Sequence, residues 1–244
     1  RRVLFRSRMM PMIPIIARLD GKAFHTFTKG MKRPYDERMS RLMVETMNAL
    51  VEKFHANVGY TSSDEITLVF YSADPKSEYI FGGRFQKIQS LMAAYASVIF
   101  NRELGKYFPE KVDAVPIFDG RANVVPNLSE AWNNLVWRQG DATKNAISMA
   151  AQSMFPHKSL QKLNGKEMQA KMLAEKDVNF NDYPEFFKRG TFAKRVHVER
   201  MLTEDEMKNI PEAYRPTTPV GRSEIREYNW WLVKETNLKE TIFA

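Results

Sequence analysis

The sequence predicts an α+β protein in which an antiparallel sheet carries helices on one face and is followed by a mostly helical C-terminal portion. Two observations support this fold class. Between residues 13 and 121, four short apolar runs alternate with two long segments whose apolar residues recur at the helical period. From Ser129 onward, helical segments and polar loops replace the strand signals. We therefore expect a sheet-containing core over residues 8–128 and a helical or irregular part of the same unit over residues 129–244.

The core opens with a predicted strand over residues 13–19, with Pro14 near its start, where a missing N–H costs least. A loop or short helical turn follows over residues 21–27, and then a basic turn over residues 29–33. Asp36 is a suitable N-cap for a helix that runs to about residue 54, because apolar residues recur there every three or four positions. These elements form the first strand and the first long helix.

A hairpin is predicted next, with one strand from about Val58, a turn over residues 62–65 and a second strand over residues 66–71. A second long helix is predicted over residues 81–107, and a fourth strand over residues 114–118 ends at Asp119-Gly120-Arg121. Strand, helix, hairpin, helix and strand in this order indicate a ferredoxin-like unit, which is the palm-like arrangement.

The C-terminal portion is predicted to be mostly helical. Ser129 caps its first helix, and residues 138–141 separate that helix from the next. The predicted elements are helices over residues 129–137, 142–154 and 166–176, an aromatic and polar segment over 177–195, a surface loop over 211–219, and a closing strand or tail around Trp230 and Trp231.

The composition is that of a globular chain. With 244 residues, 43% of them hydrophobic, the chain can bury a full core. The absence of cysteine excludes disulfides and thiolate metal sites, and it fits a reducing compartment, so we expect a cytoplasmic protein. The longest apolar runs are far shorter than the ~18 residues of a membrane span, so we expect no membrane partner.

The formal net charge of +8 favours a polyanionic partner, although solvated lysines explain a basic surface equally well. The first seven residues contain no cap, no strand alternation and no signal-peptide pattern, and we interpret residues 1–7 as a remnant foreign to the fold. Removing their three arginines lowers the net charge from +8 to +5, so the rest of the chain is still basic.

Three carboxylates lie at predicted strand ends. Asp20 ends the first strand, and Asp64 and Glu65 precede the third. Acids on neighbouring strands suit a two-metal phosphoryl-transfer site, and their mutual repulsion would call for cations. The alternative is that Asp20 and Asp64 only stabilise turns. Backbone N–H groups over residues 21–25 could cradle a triphosphate, whereas His25, among aromatic residues, is more commonly a packed histidine than a base.

Five separated motifs occur in a defined order along the chain. They are Arg18-Leu19-Asp20-Gly21-Lys22-Ala23-Phe24-His25, Arg33-Pro34, Ser63-Asp64-Glu65, Phe118-Asp119-Gly120-Arg121, and Trp137-Arg138-Gln139 followed by Asp141. Together they resemble the tRNA(His) guanylyltransferase family, including its Thg1-like branch, over residues 14 to about 195. The resemblance implies a palm-type enzyme that adds GTP to the 5′ end of tRNA in the 3′–5′ direction, after ATP or GTP has activated the 5′-phosphate.

The resemblance also implies roles for individual residues. Asp20, Gly21 and Asp64 match positions that hold two Mg²⁺ ions, and Glu65 matches an acid that assists the two catalytic aspartates. The implied nucleotide-binding residues are Lys22, Ala23, Phe24, His25, Arg33, Ser63, Arg84 and Lys87. The implied tRNA- or phosphate-binding residues are Arg121, Arg138, Asn145 and Lys171. For any single cation among them, a solvated position on a helix face is the alternative. A homotetramer built as a dimer of dimers is implied as well.

One segment departs from the family pattern. Eukaryotic members carry His-Ile-Asn shortly after the last motif, where this chain has Thr143-Lys144-Asn145. We therefore expect relaxed selection of tRNA(His) and repair of truncated tRNA 5′ ends. Two alternatives stay open: a palm module that binds nucleotide or RNA without catalysis, and a palm enzyme that acts on free nucleotides, such as a cyclase.

Overall fold

The structure, a computed structural model, describes residues 7–232, in which six strands form one antiparallel sheet. The strands are β1 (Ile15–Gly21), β2 (Val58–Ser62), β3 (Glu65–Phe70), β4 (Phe118–Val124), β5 (Thr191–Arg200) and β6 (Val220–Tyr228). Their order across the sheet is β4-β1-β3-β2-β5-β6, and all neighbours are antiparallel. The predicted α+β class is confirmed, with a sheet larger than the four strands expected.

The helices differ widely in length. They are α1 (Phe24–Phe27), α2 (Glu37–Phe54), α3 (Phe85–Tyr107), α4 (Leu128–Met154), α5 (His157–Leu160), α6 (Gly165–Lys176), α7 (Glu185–Arg189) and α8 (Glu204–Lys208). Short 3₁₀ turns occupy Ile80–Gly83, Pro109–Ala114, Phe180–Asp182 and Glu212–Tyr214. Within residues 7–232, no helix is both long and apolar enough to cross a bilayer.

Helices α2 and α3 pack on one face of the sheet, as predicted. Asp36 caps α2, and its carboxylate accepts a hydrogen bond from the Arg38 N–H at 3.1 Å. The apolar stripe of α2, which includes Met47, is buried with Ile88 of α3 and Leu19 of β1 in one continuous core. Burial of these stripes, more than helix propensity, holds both helices on the sheet.

Helix α4 covers the opposite face of the sheet and extends beyond it. Its first half packs Trp132 and Leu135 against Val58 and Phe192 of the sheet. Its second half packs with α6 and α7 in a separate apolar cluster that includes Ala150. The helix therefore joins the sheet to a small helical layer and forms one wall of the groove between them.

The predicted fourth strand over residues 114–118 is wrong. Residues Pro109–Ala114 form a 3₁₀ turn, Val115 has a left-handed backbone with φ of 43°, and β4 begins only at Phe118. The Asp119-Gly120-Arg121 segment lies inside the strand and does not end it. Gly120 is required there because a Cβ atom would lie 2.6 Å from the carbonyl oxygen of Gln89, so the glycine marks close packing against α3.

The predicted break at residues 138–141 is also wrong, because α4 runs uninterrupted for 27 residues from an Asn127 cap. Gly140 is tolerated in the helix, since a Cβ there would meet no atom within 4 Å. Its neighbour Gln139 is buried and fixes the C-terminal tail: its amide group donates to the Trp230 carbonyl at 2.7 Å and accepts from the Leu232 N–H at 2.8 Å.

Other boundaries shift by a few residues, and two strands were not predicted. The second long helix begins at Phe85 because Gly82 and Gly83 have positive φ, and the helix over 166–176 is present with an Asn164 capping box. The segment over 177–195 includes α7 and the start of β5, and Trp230 follows the end of β6 and stacks on Tyr228. Of the predicted remnant, residues 1–6 lie outside the described residues, as do residues 233–244 of the C-terminal portion.

Candidate active site

The three predicted acids meet at one end of the sheet. Asp20 of β1 pairs in register with Glu65 of β3 on one side and with Asp119 of β4 on the other. Asp64 lies in the β2–β3 turn, and its carbonyl oxygen accepts a hydrogen bond from the Gly21 N–H at 3.1 Å. Ser63 reaches the left-handed φ of 55° that this tight turn requires. The convergence expected from the sequence is therefore present.

The ionised forms of Asp20 and Asp64 are disfavoured in this environment. Burial raises the pKa of the Asp64 carboxyl, and the negative charges of Asp20 and Glu65 raise it further. Burial also raises the pKa of Asp20, followed by the charge of Glu65, while Arg18 opposes the shift. Two partly desolvated carboxylates that repel each other form a place where a cation lowers the free energy of the ionised pair.

Glu65 differs from the two aspartates because arginines surround it. Its Oε2 accepts from Arg138 Nη1 at 2.7 Å and from Arg18 Nε at 3.1 Å, and its Oε1 forms an ion pair with Arg18 Nη2. Arg18 also lies 3.3 Å from an Asp20 oxygen. Sequence reasoning missed Arg18, although its position two residues before Asp20 on one strand puts both side chains on the same face.

A cavity of about 530 Å³ opens beside these acids. Its walls are the edge of the sheet, helices α4 and α7, and the loop that precedes α2. This volume suits a ligand of nucleotide size. It is lined by eight of the predicted site residues, namely Phe24, His25, Arg33, Ser63, Asp64, Glu65, Arg138 and Asn145. One end is polar, at the Ser63–Glu65 turn and Arg138, while the other is aromatic, where the rings of Tyr35 and Phe187 are 4.8 Å apart.

One wall of the cavity is a polar stripe along α4 that sequence reasoning mostly missed. Arg138, Asp141, Asn145, Ser148 and Gln152 all line the cavity. Their spacing of three or four residues puts them on one helix face. The signal was present in the sequence, but the break predicted at Gly140 divided the stripe between two helices.

The predicted triphosphate loop is partly used by the fold itself. The N–H of Gly21 bonds to Asp64, and the N–H of Lys22 donates to the Ile117 carbonyl at 2.9 Å. Ala23 has a left-handed φ of 56° and starts α1, which brings His25 to the cavity. The Phe24 ring is buried against Phe100 and Phe118, and a Cβ on Gly21 would clash with it.

Four predicted cations lie away from the cavity. Arg84 and Lys87 are at the N-terminal end of α3. The backbone of Arg84 forms an isolated antiparallel β-bridge with Arg8, shortly before β1 begins, whereas Asp20 is near the other end of β1. Arg121 is exposed on β4 and lies 3.5 Å from Asp119. Lys171 of α6 pairs with Glu175 at 2.6 Å and lies over the Phe155 ring.

The fold is a palm-like α+β sheet, and the carboxylates beside its nucleotide-sized cavity suit an enzyme that transfers nucleotides. A family model described as Thg1: tRNAHis guanylyltransferase matches residues 1–126, slightly more than half of the chain. An uncharacterised protein of Acanthamoeba polyphaga mimivirus is 30% identical over 224 residues, covering 83% of this chain and 75% of that protein. The chain belongs to the tRNAHis guanylyltransferase family.

Further relatives and solved structures agree. The tRNA(His) guanylyltransferase of Saccharomyces cerevisiae is 29% identical over 220 residues, covering 82% of this chain and 91% of the relative. A bacterial tRNA(His) guanylyltransferase (Thg1)-like protein in complex with ATP superposes with a TM-score of 0.75 and 38% identity, over 80% of this chain and 84% of that one. A second such complex, with GTP, gives a TM-score of 0.71 and 28% identity over 100% and 95%.

Proposed function

We propose that this protein is a Mg²⁺-dependent enzyme that adds GTP to the 5′ end of tRNA in the 3′–5′ direction, after ATP or GTP has activated the 5′-phosphate. The observation that carries the proposal is that Asp64 lines the polar end of a nucleotide-sized cavity and that Asp20 lies beside it, in register with Glu65. The ATP and GTP complexes of the bacterial Thg1-like proteins support the choice of nucleotides.

The residues fit Mg²⁺ through the chemistry of their donor atoms. Asp20 and Asp64 offer hard carboxylate oxygens, and the pKa of each carboxyl is raised first by burial and then by the neighbouring negative charges, both of which a cation would offset. Within residues 7–232, no group of three or more acidic or histidine side chains forms a ready cation site. Mg²⁺ commonly takes only one or two carboxylates and completes its shell with substrate phosphates and water. We propose Asp20, Gly21 and Asp64 as the protein's contribution.

The side chains around the cavity supply binding and orientation. Bound Mg²⁺ neutralises charge on the reacting phosphates and aligns the attacking and leaving oxygens. Arg18 and Arg138 carry positive charge next to the acids, where both bind Glu65. His25, Arg33 and Ser63 line the cavity. We propose that these groups hold the triphosphate, as guanidinium groups hold phosphate oxygens in fixed directions. Ala23, Lys22, Arg84, Lys87, Arg121 and Lys171 stay predictions for nucleotide or tRNA contacts.

We propose the repair of truncated 5′ ends as the finer function. The support is the Thr143-Lys144-Asn145 segment. Only Asn145 of these three lines the cavity, whereas the Thr143 hydroxyl lies 2.9 Å from the Lys188 carbonyl and helps to dock α4 against α7. The Thr143 hydroxyl is thus committed to helix packing, which supports the proposal that this position does not select tRNA(His). We also propose a homotetramer in a cytoplasmic setting, and sizing in solution tests the tetramer.

The test is a nucleotide-addition assay on 5′-monophosphorylated tRNA with GTP, ATP and Mg²⁺. Asp20→Ala and Asp64→Ala should fold normally and lose addition, while Glu227→Gln, an acid paired with Arg41 outside the cavity, should keep it. Retained addition by either well-folded aspartate variant contradicts the site. GTP binding unaffected by EDTA, without addition, would favour a binding module, and a product formed from GTP alone would favour an enzyme that acts on free nucleotides.

A further inference from the structure

We propose that Glu65 is a positioning residue that holds Arg18 and Arg138 toward the triphosphate, and that it is not a metal ligand. This inference rests on the proposed function, because it names how the same site divides its three acids. Asp20 and Asp64 serve the cations, whereas Glu65 serves the arginines. The contacts of its two oxygens carry the argument.

Both carboxylate oxygens of Glu65 are already used by guanidinium groups. Oε2 accepts from Arg138 at 2.7 Å and from Arg18 at 3.1 Å, and Oε1 pairs with Arg18 as well. Three of the roughly four lone-pair sites of the carboxylate are taken, so a cation would have to use the remaining site on Oε1 or displace one of these bonds, and in either case it would lie next to two positive charges. Charge-assisted hydrogen bonds of this kind are among the strongest that side chains make. The arginines are therefore the better partners for Glu65.

The Glu65–Arg138 pair joins two different walls of the cavity. Glu65 is the first residue of β3, and Arg138 lies near the middle of α4, so their bond crosses from the sheet edge to the helix. Only 10% of the Arg138 side chain is exposed, and its guanidinium also stacks on the Trp137 ring at 3.9 Å. An arginine held on two sides has few alternative rotamers, so its orientation toward the cavity is set by the protein itself.

This arrangement leaves donor capacity on the arginines. A guanidinium carries five N–H donors, and the bond from Arg138 to Glu65 uses Nη1. Arg138 also lines the cavity, next to the turn that carries Asp64. A triphosphate oxygen can thus be bound by Arg138 without breaking the bond to Glu65. The expected consequence of losing Glu65 is weaker nucleotide binding, with the cation response retained.

The experiment is a double-mutant cycle on the full chain with the dissociation constant of GTP as the main readout. Glu65→Gln keeps the shape of the side chain and removes its charge. It should raise the dissociation constant for GTP about tenfold in the wild-type background. In an Arg138→Gln background the same change should have less than a threefold effect, because one of its two targets is gone. The effect on GTP affinity that remains in this background measures how much Glu65 acts through Arg18.

A second readout separates positioning from metal binding. The rise in melting temperature on adding Mg²⁺ without nucleotide should persist in Glu65→Gln, because both proposed ligands remain, whereas Asp64→Asn should lose it. Glu227→Gln is the matched control, since Glu227 has a similar exposure of 33% and accepts from Arg41 at 2.8 Å away from the cavity. It should leave GTP affinity unchanged. Loss of the Mg²⁺ response in Glu65→Gln, or the same tenfold effect in both backgrounds, would overturn the proposal.

Both readouts are independent of turnover. If the wild type binds GTP but does not extend tRNA, the proposed reaction fails while the cycle still decides the role of Glu65. If the reaction occurs and the cycle shows no coupling, only the positioning role of Glu65 fails.

Discussion

Replacing Asp64 by asparagine should stabilise the cation-free protein and remove its response to Mg²⁺. Burial raises the pKa of the Asp64 carboxyl, and the charges of Asp20 and Glu65 raise it further. An acid whose pKa is higher in the folded than in the unfolded state works against folding once it is ionised. Asparagine keeps the size of the side chain and removes the charge, so the variant should melt at a higher temperature than the wild type at pH 7.

The size of this difference should depend on pH in a defined direction. The pKa of an aspartate in an unfolded chain is about 3.9, and the pKa of Asp64 in the folded protein is higher. The wild type therefore loses stability relative to Asp64→Asn as the pH rises through the interval between the two pKa values. The two proteins should approach each other below about pH 4. Above the folded pKa the gap should be constant.

Mg²⁺ should stabilise the wild type and so reduce its stability gap to Asp64→Asn. The expected shift in melting temperature can be calculated. A ligand at ten times its dissociation constant stabilises the folded state by about 1.4 kcal/mol. For a chain of this length that raises the melting temperature by about 3–6 °C. Wild type should show the shift in a thermal melt and Asp64→Asn should not.

The control is Asp119→Asn. Asp119 pairs in register with Asp20, but its side chain is 52% exposed. This variant should change stability by less than about 0.5 kcal/mol and keep the Mg²⁺ shift. Equal cation shifts in wild type and Asp64→Asn, or a lower melting temperature of the cation-free Asp64→Asn variant, would refute the placement of the cation.

Three further predictions concern the scaffold, each measured by urea unfolding. Asp36→Ala should cost about 2–4 kcal/mol, because it removes the α2 cap and the bonds to Arg38. The pKa of Asp36 is lowered chiefly by its hydrogen bond with Arg38, so this cost should be complete above about pH 4 and fall as the pH drops through the folded pKa; a constant cost down to pH 2 would contradict it. Gly140→Ala should stabilise the protein by about 0.5–1 kcal/mol, since the residue lies inside an uninterrupted helix with open space around it, and destabilisation would argue against the continuous α4. Gly120→Ala should instead cost about 1–3 kcal/mol, because its Cβ would meet the Gln89 carbonyl oxygen at 2.6 Å; no cost would mean that β4 and α3 are not in close contact.

The parts of the fold that could be predicted are those with strong local signals. The N-cap at Asp36 and the apolar period after it specify α2, and the turn before β3 specifies the hairpin that carries Asp64. The meeting of Asp20 with Glu65 followed from placing each acid at the end of a strand. Local patterns of capping, turn and period were sufficient for these features because each involves residues close in sequence.

The misassigned parts depend on contacts between distant residues. Gly120 and Gly140 look alike in the sequence, yet one allows close approach to Gln89 and the other lies in an open helix interior. Strand β5 pairs with β2, with 129 to 133 residues between the paired positions, a separation at which no periodicity indicates a partner. The polar stripe of α4 could be recognised only once the helix was known to be continuous.

The central claim is that this cavity adds a nucleotide to the 5′ end of tRNA. The most direct measurement uses tRNA labelled at its 3′ end, with a 5′-monophosphate and its first nucleotide missing, incubated with GTP, ATP and Mg²⁺. Because the label is at the 3′ end, a longer product with an intact label reports growth at the other end. The account predicts a product one or more nucleotides longer with the wild type and none with Asp64→Ala. An unchanged length with the wild type, for this tRNA and for intact tRNA(His), would contradict it.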